Sequence, residues 1–166
     1  MKRSESDIGL AAPKTALIVY IGLVLVAVCW LALIFGTPLL AESHGVLSLI
    51  LYRSFSAICH HMPERSFHLH GFPLAVCSRC TGIYAGFLVG LLIVPLVRNL
   101  REREMPHRRW LVASALPMLA DFGLDFIGLI NNTFVSRAAT GALFGAVVAF
   151  YILPGFVATF REFSTE

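Results

Sequence analysis

The chain has 166 residues, of which 57% are hydrophobic and only 14% charged, with a formal net charge of +3 and a mean hydropathy of +0.78. This is far too apolar for an ordinary soluble domain and marks an integral membrane protein, with length for one bundle of a few helices and no room for a second folded domain. The basic residues concentrate in short connecting segments, so the partner implied is the lipid bilayer and no nucleic-acid reading follows.

In chain order, residues 1–14 read as a polar cytoplasmic tail carrying Lys2, Arg3 and Lys14. Thr15 to about Phe35 then runs without a charge, enough to cross a hydrocarbon core of roughly 30 Å at about 1.5 Å per residue. This apolar run is longer than a signal-peptide core and no clear small-residue cleavage site follows, so it reads as a retained first helix. Thr37 and Pro38 end it. In the mixed segment Leu39 to Ile58, the residues Leu47, Ile50, Leu51, Ser54 and Ile58 recur at three- and four-residue steps among Glu42, His44 and Arg53. An amphipathic helix at the interface, or packed on the bundle, is expected there.

Pro63, Gly71 and Pro73 break regular structure, and a second spanning helix is expected from about Leu74 to Val97. Its Gly82, Gly86 and Gly90 flatten one face and invite a helix partner. Arg98 to Arg109 is a short polar turn holding five arginines and two glutamates. Trp110 to about Ile130 predicts the third helix and residues 135–160 the fourth, with Gly141 and Gly145 again at four-residue spacing, followed by a tail at 161–166. The fold class is all-α: an integral membrane bundle of about four transmembrane helices plus an amphipathic segment.

The positive-inside rule puts the arginine-rich turn in the cytoplasm. Four crossings then leave both termini cytoplasmic, in the plasma membrane of a bacterium or archaeon. Residues 37–73 and the Asn131-Asn132 turn face the extracytoplasmic side.

The stretch from Cys59 to Tyr84 holds three of the four cysteines, with His60, His61, His68 and His70. Cys77-Ser-Arg-Cys80 is a C-x-x-C, and Cys59 stands eighteen positions before it. Three thiolates and an imidazole make a tetrahedral metal set, so Cys59, His60, His61, Cys77 and Cys80 are the candidate ligands, with zinc or copper as the metal. His68 and His70 read as loop residues and His44 and His107 as solvated. The same cysteines support thiol–disulfide exchange: a C-x-x-C at a helix start beside Arg79 favours the thiolate, Cys59 would resolve, and a quinone could accept the electrons. A plain disulfide from Cys59 to Cys77 or Cys80 is the structural alternative. Cys29, within the first helix, reads as a small buried hydrophobe.

Asp121 and Asp125 lie four residues apart on one face of the third helix, with Asp121 expected near mid-depth and Asp125 level with the cysteines. Carboxylates at that depth cost roughly 2.5 to 3.5 kcal/mol each and need partners inside the bundle. Arg65, Arg79 and Arg137 are the available cations, and together with the two acids they would form a polar shell behind the metal ligands. Arg65, Arg79 and Arg137 could instead hold a lipid phosphate. The glycine faces also suit a subunit of a larger membrane complex.

The run Cys59-His60-His61, Arg65-Ser66-Phe67, then Cys77-Ser78-Arg79-Cys80-Thr81-Gly82-Ile83-Tyr84-Ala85-Gly86, followed by Asp121 and by Arg137 with Thr140-Gly141, resembles the DUF2085 family of predicted membrane proteins. The likeness covers roughly Ser56 to Gly145 and has C-x-R-C-T-G-x-Y-x-G as its core. It implies a multi-pass membrane protein with a Cys/Arg motif and brings no reaction or substrate with it. His61 stands where the family usually has a glutamine.

Overall fold

The computed structural model describes residues 5–59, 62–100 and 105–163. Five helices carry the chain: α1 Glu5–Leu39, α2 Gly45–Ser56, α3 Ser78–Val97, α4 Arg108–Phe126 and α5 Phe134–Phe163. A single 3-10 turn, Pro63–Arg65, and a two-stranded hairpin, β1 His68–Leu69 and β2 Phe72–Pro73, lie between α2 and α3. The architecture is the all-α membrane bundle that the apolar runs predict.

The central pair is α3 with α5, and small residues bring their backbones together. A methyl group added to Gly82, Gly86 or Gly90 would lie 2.1, 2.1 or 2.4 Å from the carbonyl oxygens of Ala138, Ala142 and Ala146. From the other side, a methyl on Gly145 would lie 2.0 Å from the Ile83 carbonyl oxygen. Contacts that advance together along both chains mean that α3 and α5 run parallel. Both glycine faces are therefore used within the chain, as the helix-packing faces that their spacing predicts.

Among the described residues, three helices are long and apolar enough to cross a membrane, over Thr15–Leu39, Ser78–Val97 and Phe134–Phe160. α4 is not among them, because Arg108, Arg109, Asp121 and Asp125 dilute its apolar residues. It supplies the return: between the two parallel helices the chain must come back to the end where α3 began. α4 makes that return antiparallel to α5, its first end tied by the Tyr151 hydroxyl donating to the His107 carbonyl at 2.8 Å. Its last turns lie beside the start of α5, where Ser136 reaches Asp121.

α1 is antiparallel to both partners. Ala16 and Val19 near its beginning pack with Leu91, Val94, Leu153 and Val157 at the far ends of α3 and α5. Ile34 near its end joins Phe55, Cys59 and Leu74 to Val76 in a second cluster.

Several boundaries differ from expectation. α3 begins at Ser78 and not near Leu74, because the hairpin runs through Pro73 and residues 75 and 76 form a bend; Leu74, Ala75 and Val76 are buried as core despite lying outside a helix. α4 stops at Phe126, four residues early, where Gly128 takes a positive φ of 73°. α1 continues to Leu39, through Thr37 and Pro38. α2 forms in the predicted segment, but the stripe it buries is Ser48 and Phe55, while Leu47, Ile50 and Ile58 face outward. The sequence period marked the wrong face because both faces of α2 are largely apolar.

The hairpin was not foreseen. Its two-residue turn is His70-Gly71, with φ of 52° and 83°, the positive pair that a type I′ turn requires. Leu69 pairs with Phe72 and His68 with Pro73.

Candidate metal centre

Local structure delivers the three cysteines to one point. Cys59 ends the turn that closes α2, its backbone N–H donating to the Phe55 carbonyl at 3.0 Å. The hairpin folds back onto that helix: the Leu74 N–H bonds the Phe67 carbonyl at 2.7 Å, and the Tyr52 hydroxyl donates to the Pro73 carbonyl at 2.5 Å. Burial pushes the Tyr52 phenol above its ordinary value, so it remains a donor through the neutral range. Cys77 is then the N-cap of α3, in extended conformation at φ −65° and ψ 159°. Its carbonyl takes the first helical bond from the Thr81 N–H at 2.9 Å, while its own N–H donates to the Cys59 sulfur at 3.4 Å.

The Sγ atoms of Cys59, Cys77 and Cys80 lie within 4.8 Å of one another. All four cysteines are free thiols. Around the three stand Trp30, Ile34, Phe55, Leu74 and Tyr84, an apolar box at the end of the bundle. Cys29 is outside the cluster and exposed on α1, so the expectation that it is buried fails. A metal fits this arrangement: with metal–sulfur bonds of about 2.3 Å a tetrahedral ion holds its sulfurs ~3.8 Å apart, inside the 4.8 Å within which all three lie. The N–H bond to Cys59 and the start of α3 both stabilise negative sulfur there.

His60 and His61, the imidazoles predicted to complete the set, lie outside the described residues. His68 and His70 are exposed on the hairpin, as loop residues should be. Arg65 is exposed on the 3-10 turn.

The charged residues form a second constellation. Arg79 Nη2 sits 2.7 Å from Asp121 Oδ2, with its guanidinium carbon 5.6 Å from the Phe122 ring centroid. Arg137 Nη2 lies 3.4 Å from Asp125 Oδ2. Asn132 joins the two pairs. Its side-chain N–H donates to Asp121 Oδ2 at 3.1 Å, its backbone N–H to Asp125 Oδ1 at 3.2 Å, and its side-chain oxygen accepts from Arg137 Nε. The Ser136 hydroxyl adds a third donor to Asp121, at 2.9 Å. Each acid thus meets one arginine, and the network ties α3, α4 and α5 together.

Helical geometry separates this network from the thiols. Cys77, Cys80 and Tyr84 fall on one face of α3, whereas Arg79 falls on the side of Gly82 and Gly86, toward α5. Arg79, which the sequence offers both as a neighbour of the thiols and as a cation for the acids, takes the second role and reaches Asp121. Asp121 therefore stands level with the first turn of α3, not at mid-depth. Asn132 and Ser136 were missed from sequence, where the Asn131-Asn132 pair reads only as a turn; the available signal was the polar triplet Asn131-Asn132-Thr133, with Ser136 directly before Arg137.

The matching family is described as a predicted membrane protein (DUF2085), and it covers residues 59–151, from the first clustered cysteine to the α5 tyrosine that ties down α4. An uncharacterized protein of Methanocaldococcus jannaschii is 43% identical over 110 residues, 66% of this chain and 70% of that protein. An uncharacterized protein of Methanothermobacter thermautotrophicus is 54% identical over 43 residues, 24% of this chain and 39% of that protein. No solved structure matches. The chain belongs to the DUF2085 family of predicted membrane proteins.

Proposed function

We propose that the protein binds a thiophilic metal ion, zinc or copper, through Cys59, Cys77 and Cys80 at the extracytoplasmic end of its bundle. The observation that carries this reading is the convergence of three sulfurs within 4.8 Å from two segments that the hairpin brings together. Thiolates in apolar surroundings are costly unless paired with a cation, and a soft or borderline metal is the partner that three sulfurs select. His60, next to Cys59, supplies the fourth donor. The Asp/Arg/Asn network acts from the opposite face of α3, fixing the turn that carries Cys77 and Cys80.

The orientation belongs to the same proposal. Arg98, His107, Arg108 and Arg109 lie at the end opposite the cysteines, and a short loop this basic stays in the cytoplasm. Both termini are then cytoplasmic in a plasma membrane.

Cobalt substitution tests the site. Co(II) added to the purified protein should give the intense near-ultraviolet bands of sulfur-to-metal charge transfer, and Cys80→Ser should abolish or strongly reduce them. Cobalt bands that are absent, or unchanged in both Cys77→Ser and Cys80→Ser, would overturn the proposal. A disulfide that forms between the clustered cysteines and exchanges with a dithiol would move the assignment to thiol redox chemistry.

A further inference from the structure

Tyr52, Phe55 and Cys59 follow one another at steps of three and four residues, on one side of α2 and of the turn that closes it. Each makes a different long-range contact. The Phe55 ring packs edge-on against Trp30 of α1, with centroids 5.3 Å apart. The Cys59 sulfur accepts the Cys77 N–H at 3.4 Å. The Tyr52 hydroxyl donates to the Pro73 carbonyl at 2.5 Å, and Pro73 ends β2, four residues before Cys77.

Cys77 and Cys80 need no outside help to converge, because the first turn of α3 places their sulfurs on one face. Cys59 is the sulfur that has to be delivered. It stands eighteen positions before Cys77, and bringing the ends of so long a connection together costs chain entropy. The hairpin shortens the connection, with the Leu74 N–H bonded to the Phe67 carbonyl at 2.7 Å, but that bond lies within the connection and does not reach α2. The Tyr52 bond does. Its acceptor is a backbone carbonyl fixed by the hairpin, so the hydroxyl is the side-chain group on which this tie depends. Tyr52 precedes the family match at residues 59–151, and the cysteine motif does not point to it.

We propose that Tyr52 is a positioning residue for the metal site: its hydroxyl holds the hairpin against α2 and so keeps the Cys59 sulfur beside Cys77 and Cys80 before a metal arrives. A site assembled in advance loses less conformational freedom on binding, which tightens it. The effect on affinity rests on the metal reading, whereas the effect on the free thiols needs no metal.

The test uses the full-length protein in detergent with Cys29→Ser, which leaves the three clustered thiols. Without metal, the short thiol-bridging reagent dibromobimane should join Cys59 to Cys77 or Cys80. Tyr52→Phe, which keeps the ring, should slow that cross-link at least about threefold and leave the link between Cys77 and Cys80 unchanged, as peptide mapping reads them. Co(II) affinity, read from the charge-transfer bands, should fall about three- to tenfold, the effect of one hydrogen bond. In the Cys59→Ser background the same substitution should change it less than about twofold, because the hydroxyl acts through Cys59. Cross-links unchanged by Tyr52→Phe would overturn the proposal, even with a lower melting temperature, since the hydroxyl would then be structural only. So would an equal loss of affinity in both backgrounds. A parent protein that forms the Cys59 cross-link but gives no cobalt bands fails the metal reading alone, and the cross-links then decide for Tyr52.

Discussion

Arg79 of α3 holds Asp121 of α4 at 2.7 Å, across 42 positions of sequence, at the level where α3 presents its two cysteines on the opposite face. One residue between Cys77 and Cys80 thereby decides how the first turn of α3 is held against the rest of the bundle.

Removing one member of this pair strands the other in apolar surroundings. Asp121→Leu, which leaves Arg79 unpaired, should cost about 3 kcal/mol, read as a lower unfolding midpoint in detergent. Arg79→Met combined with Asp121→Leu should recover much of that loss, since an apolar pair leaves no charge stranded. A double variant as unstable as the single one would show that the pair contributes more than mutual neutralisation.

Asn132 bonds both acids and one arginine, so Asn132→Ala should destabilise by about 2 kcal/mol, since a buried acceptor left unmet costs roughly 1–3 kcal/mol. The more informative readout is the thiols. Loosening the brace should raise the reactivity of Cys77 and Cys80 toward a thiol reagent and leave that of Cys29, exposed on α1, unchanged. Equal acceleration at all of them would indicate general unfolding.

The α3–α5 interface has no space for a methyl group. Gly86→Ala would place its new carbon 2.1 Å from the Ala142 carbonyl oxygen, a backbone atom. The helices must separate to admit it, at a cost of about 1–3 kcal/mol or more. Gly36→Ala, where nothing lies within 4 Å of the added carbon, is the control and should be nearly neutral.

Metal affinity should fall as the pH falls. The ligands bind as thiolates, so the metal-free protein carries more protons than the loaded one and acid favours release. Isothermal binding at stepped pH should show affinity declining steadily toward acid; an affinity independent of pH would mean that the ion is not held by thiolates.

Much of this was legible in the residues. Three long charge-free runs give three helices, because in a bilayer the backbone must satisfy itself and length alone then decides. The glycine spacing correctly marked the flat faces of α3 and α5, but not that those faces meet each other, since spacing carries no information about partners. Cys59, Cys77 and Cys80 were predicted to converge and do. The His70-Gly71 turn that brings them together was not recognised, because strands of two residues leave no alternation to read. Asn132 escaped for a different reason: its importance comes from three long-range partners, none of them visible within one helical period.

The most direct measurement of the central claim is elemental analysis of the detergent-purified protein, paired with a count of reactive thiols before and after chelation. The account predicts about one zinc or copper per chain, as a single tetrahedral thiolate site holds, with Cys59, Cys77 and Cys80 released to the reagent only when the metal is stripped. No stoichiometric metal, with those three thiols reactive from the outset or joined in a disulfide, would contradict it.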